Sequence, residues 1–278
     1  MKHVIQFSGG LASAYVAWMC VEEFGKNNCI LLFHETGVEH PDNVKFKENV
    51  CNFLEIEYVE ISYGMDLWDL IVKQRCLPSY FQPFCTRMLK MEQGFKFLKK
   101  LKEKFIVYNG FGAHEPKRVM RANELGKRKG HTVHSPLYEQ NIPDKKVMEI
   151  IRDEWNIKIQ EPYMQGFEHC NCLPCFKGGQ KHFKRVFQCY PEAFEKAKWA
   201  EKEISRIKQK EFTVFTREEK TGRWTYNSKG KKVIETETVK ISLGELEKIW
   251  VEEPVKPQTM SFNHSDDWEQ LDLFEVAA

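Results

Sequence analysis

The 278 residues contain no run of eighteen apolar residues, so no bilayer-spanning helix is expected. The amino-terminal Met1-Lys2-His3-Val4-Ile5-Gln6-Phe7 is too short an apolar run for a secretory signal before Ser8-Gly9-Gly10. These absences predict a cytoplasmic chain with no membrane partner, in a compartment that keeps thiols reduced. A large net charge is also missing. The 42 Lys+Arg stand against 40 Asp+Glu, a balance that by itself points to no acidic partner. The nine cysteines are odd in number, which argues against a fully paired disulfide framework. No internal repeat is visible. Two phosphate-binding signatures are absent as well: the Gly-Lys-Ser/Thr ending of a Walker A loop and the G-x-G-x-x-G of dinucleotide-binding turns. What is present is ample core material. Hydrophobic residues make up 42% and aromatics 13%, which argues against disorder along the whole chain. The length suits one large α/β domain with an appendage, or two small domains.

Over the first 160 residues, β-branched or aromatic runs alternate with amphipathic stretches. Strands are predicted at 4–7, 29–33, 57–61, 105–108 and 132–135, and helices at 11–24, 41–54, 86–102 and 143–155. This alternation predicts an α/β fold, with a parallel sheet of about five strands and helices on both faces. Ligands of such sheets bind beyond the carboxyl ends of the strands, so functional residues are expected just after each strand. After about residue 165 the pattern changes. A cysteine cluster precedes a helical stretch to about residue 210, and 212–230 reads as a β-hairpin. Residues 196–232 hold twelve Lys/Arg against five Asp/Glu, whereas 233–278 hold three against eleven. The chain from Pro254 on reads as a loose acidic segment.

Ser8-Gly9-Gly10-Leu11-Ala12-Ser13 directly follows the first strand and opens the first helix. Glycines admit close backbone approach, and N–H groups at a helix start favour an anion. Ser8 and Ser13 add hydroxyl donors. The competing reading is a tight strand-to-helix turn with no ligand.

In that context the loop resembles the PP-loop of the adenine-nucleotide α-hydrolase superfamily. Further segments resemble the phosphoadenosine-phosphosulfate (PAPS) reductase branch in the same order. They are His34-Glu35-Thr36-Gly37-Val38-Glu39-His40-Pro41, Phe84-Cys85-Thr86-Arg87-Met88-Leu89-Lys90, Gly110-Phe111-Gly112-Ala113-His114-Glu115-Pro116-Lys117-Arg118, and His134-Ser135-Pro136-Leu137. Ala113 stands where that family has an Arg, and Glu35 where it has an Asp. The resemblance covers roughly residues 1–200. It implies that Ser8, Gly9, Gly10 and Ser13 cradle phosphates and that Thr36 and Gly37 shape the ribose side. It also implies that Lys90, Lys117 and Arg118 neutralise charge, with Glu115 beside them in the catalytic set. The implied cofactors are ATP, or a related adenine nucleotide, and Mg²⁺.

Cys170-x-Cys172-x-x-Cys175 puts three thiols within six residues, a spacing that suits a metal better than a core. Cys85, at the start of a predicted helix beside Arg87 and Lys90, is the expected fourth ligand, with His169 as its competitor. Four thiolates suit either a [4Fe–4S] cluster or zinc. Cys20, Cys29, Cys51 and Cys189 read as packing residues, and Cys76 lies in a loop. PAPS reductases carry a catalytic cysteine in a carboxyl-terminal tail, but no cysteine here follows Cys189. His114 beside Glu115 could serve as an acid–base pair, or be a polar loop residue. The basic 196–232 segment interleaves Lys/Arg with Trp199, Phe212, Phe215, Trp224 and Tyr226. Such a mixture could grip nucleic acid or be a solvated face.

The sequence thus predicts three parts: a nucleotide-binding α/β domain over 1–165, a cysteine-cluster and helical segment over 166–210, and a hairpin appendage with an acidic tail over 211–278. The expected activity is ATP pyrophosphatase-type adenylation serving sulfur transfer to a nucleic acid (tRNA or DNA) or a small molecule, with a sulfur-donor protein as partner. A PAPS or adenylyl-sulfate reductase, and a non-catalytic nucleotide- or nucleic-acid-binding protein with structural zinc, are the alternatives.

Overall fold

The structure, a computed structural model, describes residues 1–226 and 231–252. The expected acidic segment and the 228–230 turn lie outside the described residues. In chain order the elements are β1 (Lys2–Gln6), α1 (Leu11–Phe24), β2 (Cys29–Glu35), α2 (Pro41–Leu54), β3 (Tyr58–Ser62), α3 (Leu67–Gln74), α4 (Glu92–Lys100), β4 (Phe105–Tyr108), α5 (Pro116–Lys129) and β5 (Thr132–His134). They continue with α6 (Pro136–Glu139), α7 (Asp144–Glu149), α8 (Glu161–Met164), α9 (Gln180–Cys189), α10 (Pro191–Lys208), β6 (Phe215–Tyr226), β7 (Lys232–Ile241) and α11 (Leu243–Val251). Among the described residues no helix is long and apolar enough to cross a membrane.

The chain divides into two compact units. The first, Met1–Leu67 with Phe84–Leu173, carries the expected parallel sheet with flanking helices, in the order β3-β2-β1-β4-β5. Period-two alternation divides the central strands between two cores. Ile5 and Leu31 face one side with Leu11, Val16, Phe46, Val50, Met148 and Ile151. Val4, Leu32 and Val107 face the other with Leu98. The chain runs outward from β1 through β2 to β3, then returns to place β4 on the opposite flank of β1. That reversal is a topological switch point, where the loops after β1 and β4 diverge and leave a crevice.

Two predicted helices differ in winding. Residues 86–102 are not one α-helix, because Thr86–Met91 form a wider π-helical turn before α4. Such a turn displaces a main-chain carbonyl from its usual partner, and here Gln93 Nε2 donates to Met88 O at 2.8 Å. Likewise α7 passes into a π-helical turn over Ile150–Glu154.

The second unit, Trp68–Pro83 with the described residues between 174 and 252, is built on α9, α10, α11 and the antiparallel pair β6–β7. Phe183, Phe194, Ala200, Ile204 and Leu243 are fully buried there. Ser242 and Glu245 close α11 with a reciprocal capping box. One acid lies inside this core. Glu201 is 4% exposed and accepts hydrogen bonds from Val214 N and Leu243 N, each at 2.8 Å. It therefore ties α10 to the starts of β6 and α11, while burial pushes its carboxyl above the ordinary range. Glu201→Ala orphans two buried N–H groups and should destabilise this unit by about 2–3 kcal/mol. Glu201→Gln, which keeps one acceptor, should lose roughly half of that in urea unfolding.

Candidate functional site

All the geometry of this site lies within the first unit. The chain leaves β1 through Phe7-Ser8-Gly9-Gly10 and enters α1. Gly9 takes φ +75°, and a Cβ there would lie 2.5 Å from Asn43 Oδ1. Glycine is thus required for conformation and for space. Gly10 is the extended N-cap residue of α1 and provides no side-chain cap. Its lack of an oxygen cap leaves the first-turn N–H groups to other partners. Ser13 Oγ accepts from Ser8 N at 3.2 Å, lies 3.1 Å from Ser8 Oγ, and donates to Gly10 O at 2.9 Å.

Three carboxamides hold the loop. Gln160 Nε2 donates to Gly9 O at 2.6 Å, and Asn171 Nδ2 to Ser8 O at 3.0 Å. Asn43 Nδ2 donates to Cys170 O at 2.9 Å and lies 3.4 Å from Ser8 O. Asn43 and Gln160 are buried, and among the described residues Asn43 Oδ1 and Gln160 Oε1 have no hydrogen-bond partner. The Tyr163 hydroxyl meets the backbone of Leu11 and Cys170, and burial raises its pKa. Sequence reasoning missed all four residues, since lone amides and a lone tyrosine carry no spacing signal.

Beyond β2, Thr36 N and Oγ1 donate to Glu39 Oε1 at 2.8 and 2.6 Å, and Val38 N to Glu39 Oε2 at 3.1 Å. Gly37 takes φ +73°, and a Cβ there would lie 2.5 Å from Asp66 Cβ. At the end of β2, His34 packs against α4, where a Cβ at Gly94 would approach Nε2 to 2.9 Å. Burial, seconded by the Lys90 charge, pushes the imidazole down to about 4, so it is neutral near pH 7.

Lys90, from the π-helical turn, donates to Asn171 Oδ1, and Asn171 in turn holds Ser8 O. The cation is thereby joined to the loop through one shared amide. The loop after β4 lies against the start of α1, because a Cβ at Gly110 would come within 2.8 Å of Ser13 N. Glu115 accepts from Gly112 N at 2.9 Å and pairs with Arg118. The Arg118 guanidinium lies 4.3 Å from the Phe111 ring centroid. Lys117 and His114 are exposed beside them, and His114 Nδ1 lies 3.6 Å from Asp144 Oδ2. The structure therefore brings Ser8, Gly9, Gly10, Ser13 and Lys90 into one network, while Glu115 and Arg118 form a separate pair on the neighbouring loop.

The cysteines do not arrange as expected. Cys172 Sγ lies 3.6 Å from Thr36 Oγ1 and 3.4 Å from Asn171 Oδ1, and the backbones of Glu39 and Cys172 form an antiparallel bridge. Cys170 is buried, and burial pushes its thiol up to about 12. Cys85 is half-buried at the head of the π-helical turn, and His169 is exposed. Cys175 is assigned to the second unit, where its N–H donates to His182 Nε2 at 3.0 Å. Among the described residues no three His, Cys, Asp or Glu side chains form a set that could hold a metal ion, and no cysteine is disulfide-bonded. The expected centre on Cys85, Cys170, Cys172 and Cys175 thus gains no support from the arrangement of the described residues.

Residues 1–74, which carry the loop and the Thr36-Gly37 turn, match the family model described as NAD synthase. This likeness supports the PP-loop superfamily and its ATP-using adenylation chemistry, without favouring the PAPS reductase branch. Over 194 residues, 68% of this chain and 45% of the relative, the sequence is 24% identical to Uncharacterized protein MJ0973 of Methanocaldococcus jannaschii. The chain thus spans less than half the length of that relative.

Gly9→Ala should cost about 1–3 kcal/mol through backbone strain and collision with Asn43, and weaken ATP binding at least tenfold by calorimetry (about 1.4 kcal/mol). A pH effect follows from His34. Its folded pKa, about 4, lies below the ordinary 6.5, so the unfolded chain takes up the proton first. Stability present above 6.5 is lost as pH falls toward 4, by at most ~1.4 kcal/mol per pH unit. The urea midpoint should fall between about pH 7 and pH 5, and fall less in His34→Gln.

Proposed function

We propose that the protein is a PP-loop ATP pyrophosphatase that adenylates its substrate. The observation that carries this reading is the uncapped start of α1 behind Ser8-Gly9-Gly10, with the loop carbonyls of Ser8 and Gly9 turned onto side-chain amides. Gly10 N lies at a long 3.4 Å from Ser8 Oγ, and the Leu11 backbone meets Tyr163. The donors offered to an anion are therefore the Gly9 and Gly10 N–H groups and the Ser8 hydroxyl, and the NAD synthase likeness over the same residues supports ATP as that anion. A nucleophilic oxygen of the substrate forms a bond to the α-phosphorus. The bond from that phosphorus to the bridging oxygen breaks, and pyrophosphate departs with the electron pair. Loop N–H groups, the Ser8 and Ser13 hydroxyls and Lys90 stabilise the charge that develops on the leaving group. Thr36 and Gly37 border the ribose side, and Lys117 and Arg118 extend the cationic rim, with Glu115 fixing Arg118. Mg²⁺ would enter on the phosphate oxygens, as is usual for a cation that rarely uses an all-protein cage.

The finer step we propose is thiolation of the adenylated acceptor, a nucleic acid or a small molecule. A donor protein's persulfide passes its outer sulfur to Cys172 as the donor thiolate leaves, and that sulfur bonds to the activated carbon as the bond to AMP breaks. A second donor thiol then frees the thiolated product by forming a disulfide with Cys172. The placement of the Cys172 thiol beside Thr36 supports this step, and no metal-bound sulfur is invoked. With α- and γ-labelled ATP, the expected products are AMP or an adenylated acceptor plus pyrophosphate. Release of ADP and orthophosphate would overturn the reading. Lys90→Met should lower kcat about 10²-fold. Cys172→Ser should keep pyrophosphate release while abolishing the thiolated product.

A further inference from the structure

The β6–β7 ribbon has no part in the adenylation site, and its two halves differ in charge. The half near α10 carries Glu218, Glu219, Glu235 and Glu237 among its basic residues. The distal half does not: its described residues, 220–226 and 231–234, contain four Lys/Arg and no Asp or Glu. The ladder is interrupted between Lys220 and Trp224, with Gly222 at φ +79°, and such a bulge re-aims the strand beyond it. Past this break Trp224 pairs with Ile234, Thr225 with Val233 and Tyr226 with Lys232.

Two large aromatic side chains stand in water there. Trp224 is 62% exposed and Tyr226 70%. Two residues apart on one strand, they share a face, about 6.7 Å from each other along the chain. Two neighbouring exposed rings on one face offer a flat stacking surface. Lys232 Nζ lies 5.1 Å from the Trp224 ring centroid, which keeps a cation at the rim of the aromatic surface, with Arg223 and Lys231 exposed beside it.

We propose that the distal half of this ribbon binds single-stranded RNA. Bases stack on Trp224 and Tyr226, and Lys232, paired with Tyr226 on the same face, contacts a phosphate between them. Aromatic faces flanked by cations match a chain that alternates base planes with negative charge. An anionic protein or lipid would use the cations and leave the rings idle. A duplex hides its base faces, whereas loops and bulges of RNA present them. This inference does not depend on adenylation at the PP-loop.

The test uses the full chain and a short fluorescein-labelled oligouridylate, read by anisotropy across a salt series. Saturable binding is expected, with affinity falling as salt rises. Trp224→Ala and Tyr226→Ala should each weaken it about tenfold with the salt slope unchanged. Lys232→Gln should reduce the slope by about 0.7, whereas Lys231→Gln, on the opposite face, should change it by less than half of that. All four variants should melt at the wild-type temperature and bind ATP normally, since the side chains are exposed on the second unit. Trp224→Phe, which keeps a stacking face, should bind within about threefold of wild type. Equal affinity for single-stranded DNA, duplex RNA or polyglutamate would overturn the assignment, as would aromatic variants that bind RNA unchanged.

Discussion

The candidate site depends on where two main-chain carbonyls point. A trans peptide fixes the C=O of one residue opposite to the N–H of the next. When Asn171 takes Ser8 O and Gln160 takes Gly9 O, the N–H groups of Gly9 and Gly10 are turned the other way. A loop of small residues could otherwise present its carbonyls, which repel phosphate. Side-chain amides suit this task because they donate to the carbonyl without bringing a charge. The conformation that results is left-handed at Gly9 and closed against Asn43. The clamp and the glycine are therefore two parts of one requirement.

The rest of the first unit serves that clamp. The switch in strand order sets the β1 and β4 loops side by side, and Gly110 permits the second to lie on the first turn of α1. Asn43 sits in the first turn of α2, which His40 caps by accepting from Asp42 N. The chain then returns over residues 160–173 to supply Gln160, Tyr163 and Asn171, and a bridge between Glu39 and Cys172 ties this return to the turn after β2. Residues far apart in sequence thus converge on the four-residue loop between β1 and α1.

Much of the scaffold was legible in the sequence. The 11–24 and 41–54 helices and the 105–108 strand fall where the apolar periodicity put them, because each packs one face against a continuous core. Five helices were not foreseen, of which α6 and α8 are only four residues each. In α5 only Val119 and Gly126 are buried, too few to show a period. Eight residues of α3 and nine of α11 are too short to register one. The glycine loop was legible because glycine, serine and a strand-to-helix junction coincide there. Asn43, Gln160 and Asn171 were not, because a carboxamide gains its role only from what the fold brings near it. Cysteine spacing is limited for a related reason. It reports neighbours along the chain, whereas burial of Cys170 and the hydrogen bonds of Cys172 are set by α2 and by the turn after β2.

Charge at the site follows from the same compensation. Glu39 lies in the turn after β2, bonded to Thr36, and a bare carboxylate there would add negative charge to a site proposed for an anion. Instead its two oxygens accept three hydrogen bonds from Thr36 and Val38, and Glu115 is met by Gly112 N and Arg118. His34 stays neutral, so it neither competes with Lys90 for an anion nor repels it. With the acids held by local donors, the fixed positive field comes from the α1 dipole and from Lys90. Lys90 keeps its reach because it is anchored to the neutral amide of Asn171 rather than to a carboxylate. An ion pair at that position would hold the lysine equally well and cancel the charge that an incoming nucleotide needs.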